Sequence, residues 1–217
     1  MAVNLSKGQK ISLEKKDGSL LKEFCVGVNW GQITSSSFFG LATKKTDVDL
    51  DLSCIVLDNN KEMIDFLYSP YYNVQLLQRF GLEKGKLTSY DGALKHSGDD
   101  LQGDSEADDS DNEIITVNLE RISPKAQEIY FFLNNVGNED FSMIPYSKLR
   151  MFEGTPTRVK EIFASYNVSS EPSYKSKRAL ILGKLIKNGA NWEFTAIGDA
   201  TSDTFLGETI NRIKSKY

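Results

Sequence analysis

The sequence predicts a mainly β protein, a β-sandwich of two antiparallel sheets with few short helices. Three observations carry this. Short apolar segments, alternating or continuous and bounded by turn residues, recur at regular spacing along the 217 residues, the pattern of sandwich strands. Only two segments place apolar residues at helical spacing. No apolar run approaches the ~20 residues of a membrane-spanning helix, while 40% hydrophobic and 11% aromatic residues suffice for one core. The length suits a single domain over 1–217.

Lys10-Ile11-Ser12-Leu13-Glu14 alternates with period two, as a half-buried strand should. Glu23 to Trp30 reads as a second strand, and Gln32 to Lys45 as a polar loop of small residues. Asp47 to Leu57 is a third strand, ended by the turn Asp58-Asn59-Asn60. Glu62 to Tyr68 is the next. Asn73 to Phe80 has the spacing of a short helix, with Gly81 as its stop. It falls in a segment around 68–90 that reads as an insertion. Tyr90 to Ala93 is a turn, Ile114 to Leu119 a strand, Ser123 to Ala126 a turn, and Glu128 to Leu133 a buried strand. Ser147 to Phe152 and Arg158 to Tyr166 form a strand pair. Ala179 to Ile186 and Trp192 to Ile197 flank Asn188-Gly189, a strong hairpin signal. Phe205, Leu206, Ile210 and Ile213 place a C-terminal helix around 203–215, its end rich in Lys and Arg as the helix dipole favours.

Charge is the second feature. The net charge of −4 conceals a local concentration: twelve of the 30 acidic residues fall within Asp47–Asp51 and Asp99–Glu120, leaving 18 against 26 Lys and Arg, a balance of about +8 elsewhere. Between Ser97 and Glu120 there is no Lys or Arg, and a block of like charge must be solvated, disordered or neutralised by a cation. Asp47, Asp49 and Asp51 are spaced by two, so on a strand they share one face. If only the end of that segment is strand, Asp51 is pinned there and Asp47 and Asp49 lie on a rim loop. Asp99 to Glu113 adds eight carboxylates, with glycines for tight turns. Hard oxygen ligands without cysteine select Ca²⁺ or Mg²⁺, and a flexible, carboxylate-rich loop favours Ca²⁺. The spacing is not that of an EF-hand, and the flanks are strands.

At these residues the chain resembles the TerD-domain family, named for bacterial tellurium-resistance operons. The resemblance rests on the leader Leu5-Ser6-Lys7-Gly8-Gln9-Lys10-Ile11-Ser12-Leu13 and on Val26-Gly27-Val28-Asn29-Trp30. It rests also on Asp47-Val48-Asp49-Leu50-Asp51-Leu52-Ser53 (D-x-D-L-D-x-S) and on His96-Ser97-Gly98-Asp99-Asp100-Leu101-Gln102-Gly103. Asp109 to Leu119 and the pattern from Leu182 to Gly198 complete it, so that it spans nearly the whole chain in order. The segment between Asp65 and Asp91 and the loop near Asp104–Asp108 are longer than the family pattern, and Ser110 and Asn112 stand where it has Gly and Asp. The resemblance implies a calcium-binding β-sandwich with two adjacent Ca²⁺ ions, which would take the formal charge from −4 to about zero. It implies a stress-response role, with other proteins of such operons as partners, some of them at the membrane.

The candidate metal-ligating set is Asp47, Asp49, Asp51, Gly98, Asp99, Asp100, Asp104, Asp109, Asp111, Asn112 and Glu113. No catalytic residue is expected. His96, the one histidine, reads as structural, since a catalytic base needs a nucleophile and an orienting partner. Cys25 and Cys54 lie in apolar stretches and read as buried free thiols. Tyr68, Tyr71, Tyr72 and Tyr90 read as packing around the insertion, with a partner surface as the alternative. Lys175, Lys177 and Arg178 read as a solvated loop, and no nucleic-acid partner is expected. The function expected is a calcium-binding stress-response module acting as a binding or scaffold protein, not an enzyme. A metal-dependent hydrolase and a calcium-mediated membrane-surface module are the alternatives. With no secretory signal visible, the expected location is cytoplasmic, with peripheral attachment at the inner face of the membrane as a variant.

Overall fold

Two six-stranded sheets face each other in the computed structural model, which describes all residues except 1–2, 16–17, 37–42, 107, 109 and 168–171. The first runs in the order β1 (Val3–Asn4), β12 (Arg158–Asn167), β11 (Ser147–Thr155), β3 (Glu23–Trp30), β9 (Glu113–Asn118), β8 (Leu94–His96). The second runs β2 (Lys10–Ser12), β14 (Asn191–Thr201), β13 (Ala179–Asn188), β10 (Glu128–Asn135), β6 (Leu50–Leu57), β7 (Met63–Leu67). The mainly β sandwich expected from the sequence is the fold observed. Within the two sheets, among the described residues, one pairing departs from the antiparallel rule: β1 lies parallel to β12. Two residues are too few to carry a periodic signal, so the sequence gives no hint of it.

The polar segment Gln32 to Lys45 differs from the loop expected. Its ends pair as a small antiparallel hairpin, β4 (Ile33–Ser36) with β5 (Thr43–Thr46). Ile33, Thr34, Thr43 and Thr46 are β-branched, and such side chains favour the extended backbone even among small polar neighbours.

The inner faces of the two sheets make the main core, with Phe24, Trp30, Leu52, Phe131, Met151 and Phe194 among its buried members. A second cluster lies on the outer face of the second sheet. Alternate residues of β6 and β10 point there, so Ile55, Leu57, Tyr130 and Phe132 are buried away from the sandwich interior. Two helices cover them: α1 (Val74–Arg79) through Leu77 and α2 (Leu206–Lys216) through Leu206, Ile210 and Ile213. Strands buried on both faces read as continuous apolar runs. Burying each such aliphatic side chain contributes about 1.5–3 kcal/mol.

Both helices begin with a side-chain cap. Asn73 Oδ1 accepts from the backbone N–H groups of Gln75 and Leu76 at 2.9 and 3.1 Å, an N-cap arrangement. Glu208 reaches back to accept from Thr204 N–H and Phe205 N–H at 2.7 and 3.3 Å. The ends of β6 and β10 emerge beside these two helix starts, and there the acidic segments converge. No helix among the described residues is long and apolar enough to cross a membrane.

Candidate metal centre

β6 begins at Leu50, so of the three alternating aspartates Asp51 alone is fixed on the strand. Asp47 and Asp49 precede it on the rim. Asp51 is only 4% exposed. Asp99 arrives from the segment after β8, where Gly98 takes a φ of 120°, a backbone region that side chains other than glycine rarely enter. Carboxylate oxygens of Asp49, Asp51 and Asp99 all lie within 4.8 Å of one another.

Among the described residues, no Lys, Arg or His lines the cavity around these carboxylates. Asp49 Oδ1 and Asp99 Oδ1 are buried without a hydrogen-bond donor, while Asp99 Oδ2 accepts from Ser69 Oγ at 3.3 Å. Burial pushes the Asp49 carboxyl up to about 6, with the negative charges of Asp99 and Asp100 adding to it. Asp51 is raised further, by burial first and then by contact with Asp99 and the charge of Glu113. Two unit charges ~4 Å apart repel by about 4 kcal/mol at an effective dielectric of ~20. Three ionised carboxylates at this spacing therefore hold together only around a cation or by binding protons.

Glu113, also expected among the ligands, is spent on the scaffold. Its buried carboxylate accepts from Leu52 N–H at 2.6 Å and Asp100 N–H at 3.0 Å. His96 donates from Nε2 to Leu52 O at 3.0 Å, and its Nδ1 accepts from Gly98 N–H at 3.0 Å. That pair of bonds fixes the Nε2–H tautomer. Leu52 sits where β6 has not yet met β7. Two side chains of the first sheet thus satisfy an open peptide edge of the second, and clamp the sheets together beneath the three aspartates.

The remaining candidates lie at separate points. Asp47 is exposed and accepts from Gln32 Nε2 at 2.6 Å. Asp100 and Asp104 share the Asn112 Nδ2 amide, at 3.3 and 3.0 Å, while Asn112 Oδ1 accepts from Trp30 N–H at 2.8 Å. Asp104 also accepts from Asn29 Nδ2 at 2.5 Å. Asp111 is buried against Arg150, with Nε 2.7 Å from Oδ1. It lies so close to Gly27 that a Cβ there would fall 2.1 Å from Asp111 Oδ2. Asp109 is outside the described residues.

Sequence reasoning missed Ser69 and Asn134, and read Tyr72 only as packing around the insertion or as part of a partner surface. Tyr72 packs its phenol toward the aspartates, and burial followed by the charge of Asp51 pushes that group well above its ordinary value. Asn134 lies directly opposite Asp51 in the β6–β10 register. Its only sequence signal is a polar residue ending the apolar run Ile129 to Leu133, and the pairing that brings it to Asp51 is not readable without the register.

The three-carboxylate cluster fits a hard divalent cation: the donors are all oxygen, two of those oxygens are orphaned, and no described basic side chain lines the cavity. Comparison with known proteins agrees with the fold. A homologue of the telluride resistance protein TerD from Streptomyces coelicolor A3(2) superposes with a TM-score of 0.58 at 14% identity, covering 90% of this chain and 98% of that one. The stress response protein SCP2 of Bacillus subtilis (strain 168) is 30% identical over 219 residues, covering 98% of this chain and 99% of the relative. The tellurium resistance protein TerZ of Serratia marcescens is 29% identical over 214 residues, covering 98% and 95%. The family model for the TerD domain matches residues 1–212, the acidic segments and both sheets included, and the chain belongs to the TerD domain family.

Proposed function

We propose that this chain is a calcium-binding stress-response module that acts as a binding or scaffold protein, with Asp49, Asp51 and Asp99 as the principal ligands. One observation carries the reading: three clustered carboxylates with two buried, donor-less oxygens and, among the described residues, no basic side chain lining their cavity. Calcium takes 6–8 oxygens in flexible geometry, which three carboxylates supply in part and water or a partner completes. A second ion would draw on Asp100 and Asp104. The Asn112 amide now fills the gap between them, so the three-aspartate cluster is the stronger site. The names of the relatives supply the stress-response and tellurium-resistance setting. A cytoplasmic location accords with that setting.

Several features favour a binding module over an enzyme. Both ring nitrogens of His96 are engaged in the clamp, and Cys25 and Cys54 are buried free thiols, so neither supplies an accessible base or nucleophile. The test is a thermal-unfolding titration with Ca²⁺ in a chelator-treated sample. A ligand that binds only the folded state stabilises it by about 2.7 kcal/mol at a hundred times its Kd, which corresponds to a rise of roughly 5–10 °C at this size. An unchanged Tm at millimolar Ca²⁺ overturns the reading.

A further inference from the structure

Asp49, Asp51 and Asp99 line a cavity of about 450 Å³, the size of a small-molecule site. Its walls are largely apolar, with Tyr71, Leu76, Leu101, Val136 and Phe205 among them. Tyr71, Leu101 and Val136 are 81%, 60% and 51% exposed. Large apolar side chains gathered at one mouth mark a binding site rather than ordinary surface.

A second, independent observation comes from Asn134, which is 3% exposed and lines the same cavity. Its Nδ2 donates to Thr209 Oγ1 at 2.9 Å, but its Oδ1 has no donor. A buried acceptor left unpaired is costly, and Asn134 stands directly across the β6–β10 register from Asp51.

Charge decides the chemistry of the occupant. Three ionised carboxylates and one Ca²⁺ would leave a residual charge of about −1, and among the described residues no Lys, Arg or His lines the cavity to offset more. A carboxylate or phosphate head would therefore meet that negative charge, and would offer nothing to an orphaned acceptor. A hydroxyl does both tasks: its lone pair coordinates the ion and its proton goes to the acceptor. Two adjacent hydroxyls fill two neighbouring positions of a calcium sphere that the protein leaves incomplete. Resting on the calcium reading above, we infer that this cavity binds a neutral vicinal-diol head, as on a sugar, joined to an apolar body. The diol meets the ion and Asn134, and the body lies against Tyr71, Leu101 and Val136.

The experiment is isothermal titration of the full chain with octyl glucoside, octyl galactoside and octyl mannoside below their micelle-forming concentrations. It is run with saturating Ca²⁺ and again with EGTA, and octanoate serves as the anionic head on a comparable tail. At least one glycoside should bind in Ca²⁺ and not in EGTA, and octanoate should not. Tyr71→Ala, through lost apolar contact, and Asn134→Leu, through a ligand hydroxyl left without its acceptor, should each weaken that binding by about tenfold or more. The Ca²⁺ affinity of Tyr71→Ala, a change at the exposed rim, should stay the same. Octanoate binding as tightly as the glycosides overturns the diol head. Equal binding of the glycosides in EGTA overturns the role of the ion. Silence from all three glycosides while Ca²⁺ itself binds overturns the inference and leaves the calcium reading standing. Failure of Ca²⁺ to bind removes both.

Discussion

Asp51 and Asp111 are the same residue type, both buried, with opposite physical situations. Asp111 faces the Arg150 guanidinium, so its charge is answered within the fold, and Gly27 makes room for it by having no Cβ. Asp51 faces other carboxylates, and burial raises its pKa far above the usual range. Only an added cation makes its ionised form favourable. Asp51→Asn should therefore act in opposite directions with and without metal. In EGTA at about pH 7 the folded chain must hold Asp51 protonated while the unfolded chain ionises it; the substitution removes that cost, of order 1 kcal/mol or more, and should raise Tm by about 2–4 °C. With Ca²⁺ the variant should lose at least about tenfold in affinity, since a charged ligand is gone, and most of the calcium-induced Tm rise with it. Thermal unfolding in both conditions checks this; a variant that melts lower than the parent in EGTA shows Asp51 to be a scaffold residue. The sequence made both aspartates legible as candidates, because a run of carboxylates is visible in composition. It could not show which of them meets an arginine, because Arg150 is distant in sequence and reaches Asp111 only when β11, β3 and β9 lie side by side.

At the scale of the element, the clamp on Leu52 joins the two sheets. Glu113 opens β9 and His96 ends β8, both in the first sheet, while Leu52 belongs to β6 of the second. Glu113→Ala should leave Leu52 N–H and Asp100 N–H buried without acceptors, at about 1–3 kcal/mol each when fully shielded from water. Urea unfolding should show a net loss of roughly 2–4 kcal/mol, and Ca²⁺ should bind more weakly because the Asp99–Asp100 segment loses its anchor. A stability change below about 0.5 kcal/mol would place the variant among ordinary surface substitutions and refute the clamp. The strands that form this junction were legible: Ile114 to Leu119 and Asp47 to Leu57 carry runs that demand burial. So was the β13–β14 hairpin, whose turn tightens to Gly189-Ala190 between Asn188 and Asn191, with Gly189 at a φ of 62°. The clamp itself was not legible. It depends on where β7 stops pairing with β6, and pairing length is a tertiary property that local sequence leaves open. The β4–β5 hairpin escaped notice for a related reason, since its residues are too polar for hydrophobic periodicity to register.

Over the whole molecule, the centre sits where the outer face of the second sheet runs out from under its helices. The placement of α2 therefore sets the shape of the cavity. Leu206, at the start of α2, lines that cavity. The far end of the helix, ~16 Å away at 1.5 Å per residue, is tied to Asp199 of β14. Asp199 accepts from Lys216 Nζ at 3.0 Å, from the Tyr217 hydroxyl and from Lys7 Nζ, so one carboxylate joins the leader, a central hairpin and the C-terminus. Burial pushes the Asp199 carboxyl up, but the hydrogen bonds from Lys7, Tyr217 and Lys216 outweigh it and hold the group well below the usual range. A folded-state pKa below the unfolded value means that the folded state releases the proton more readily. The contribution is then complete above the unfolded value of about 3.9 and is lost as pH falls toward the folded one. Lys7 and Lys216 are largely exposed, so solvent screening limits the cluster to about 1 kcal/mol. Asp199→Asn should cost that amount at about pH 7, and the gap to the parent should narrow by about pH 3, as measured by urea unfolding at both. A gap that is constant or widens on acidification would show that the carboxylate charge is not what ties the helix end. The calcium-induced Tm rise should be the same in Asp199→Asn as in the parent, because sites this far apart with no shared partner contribute additively. A reduced rise would mean that the pinned end of α2 tunes the cavity at its other end.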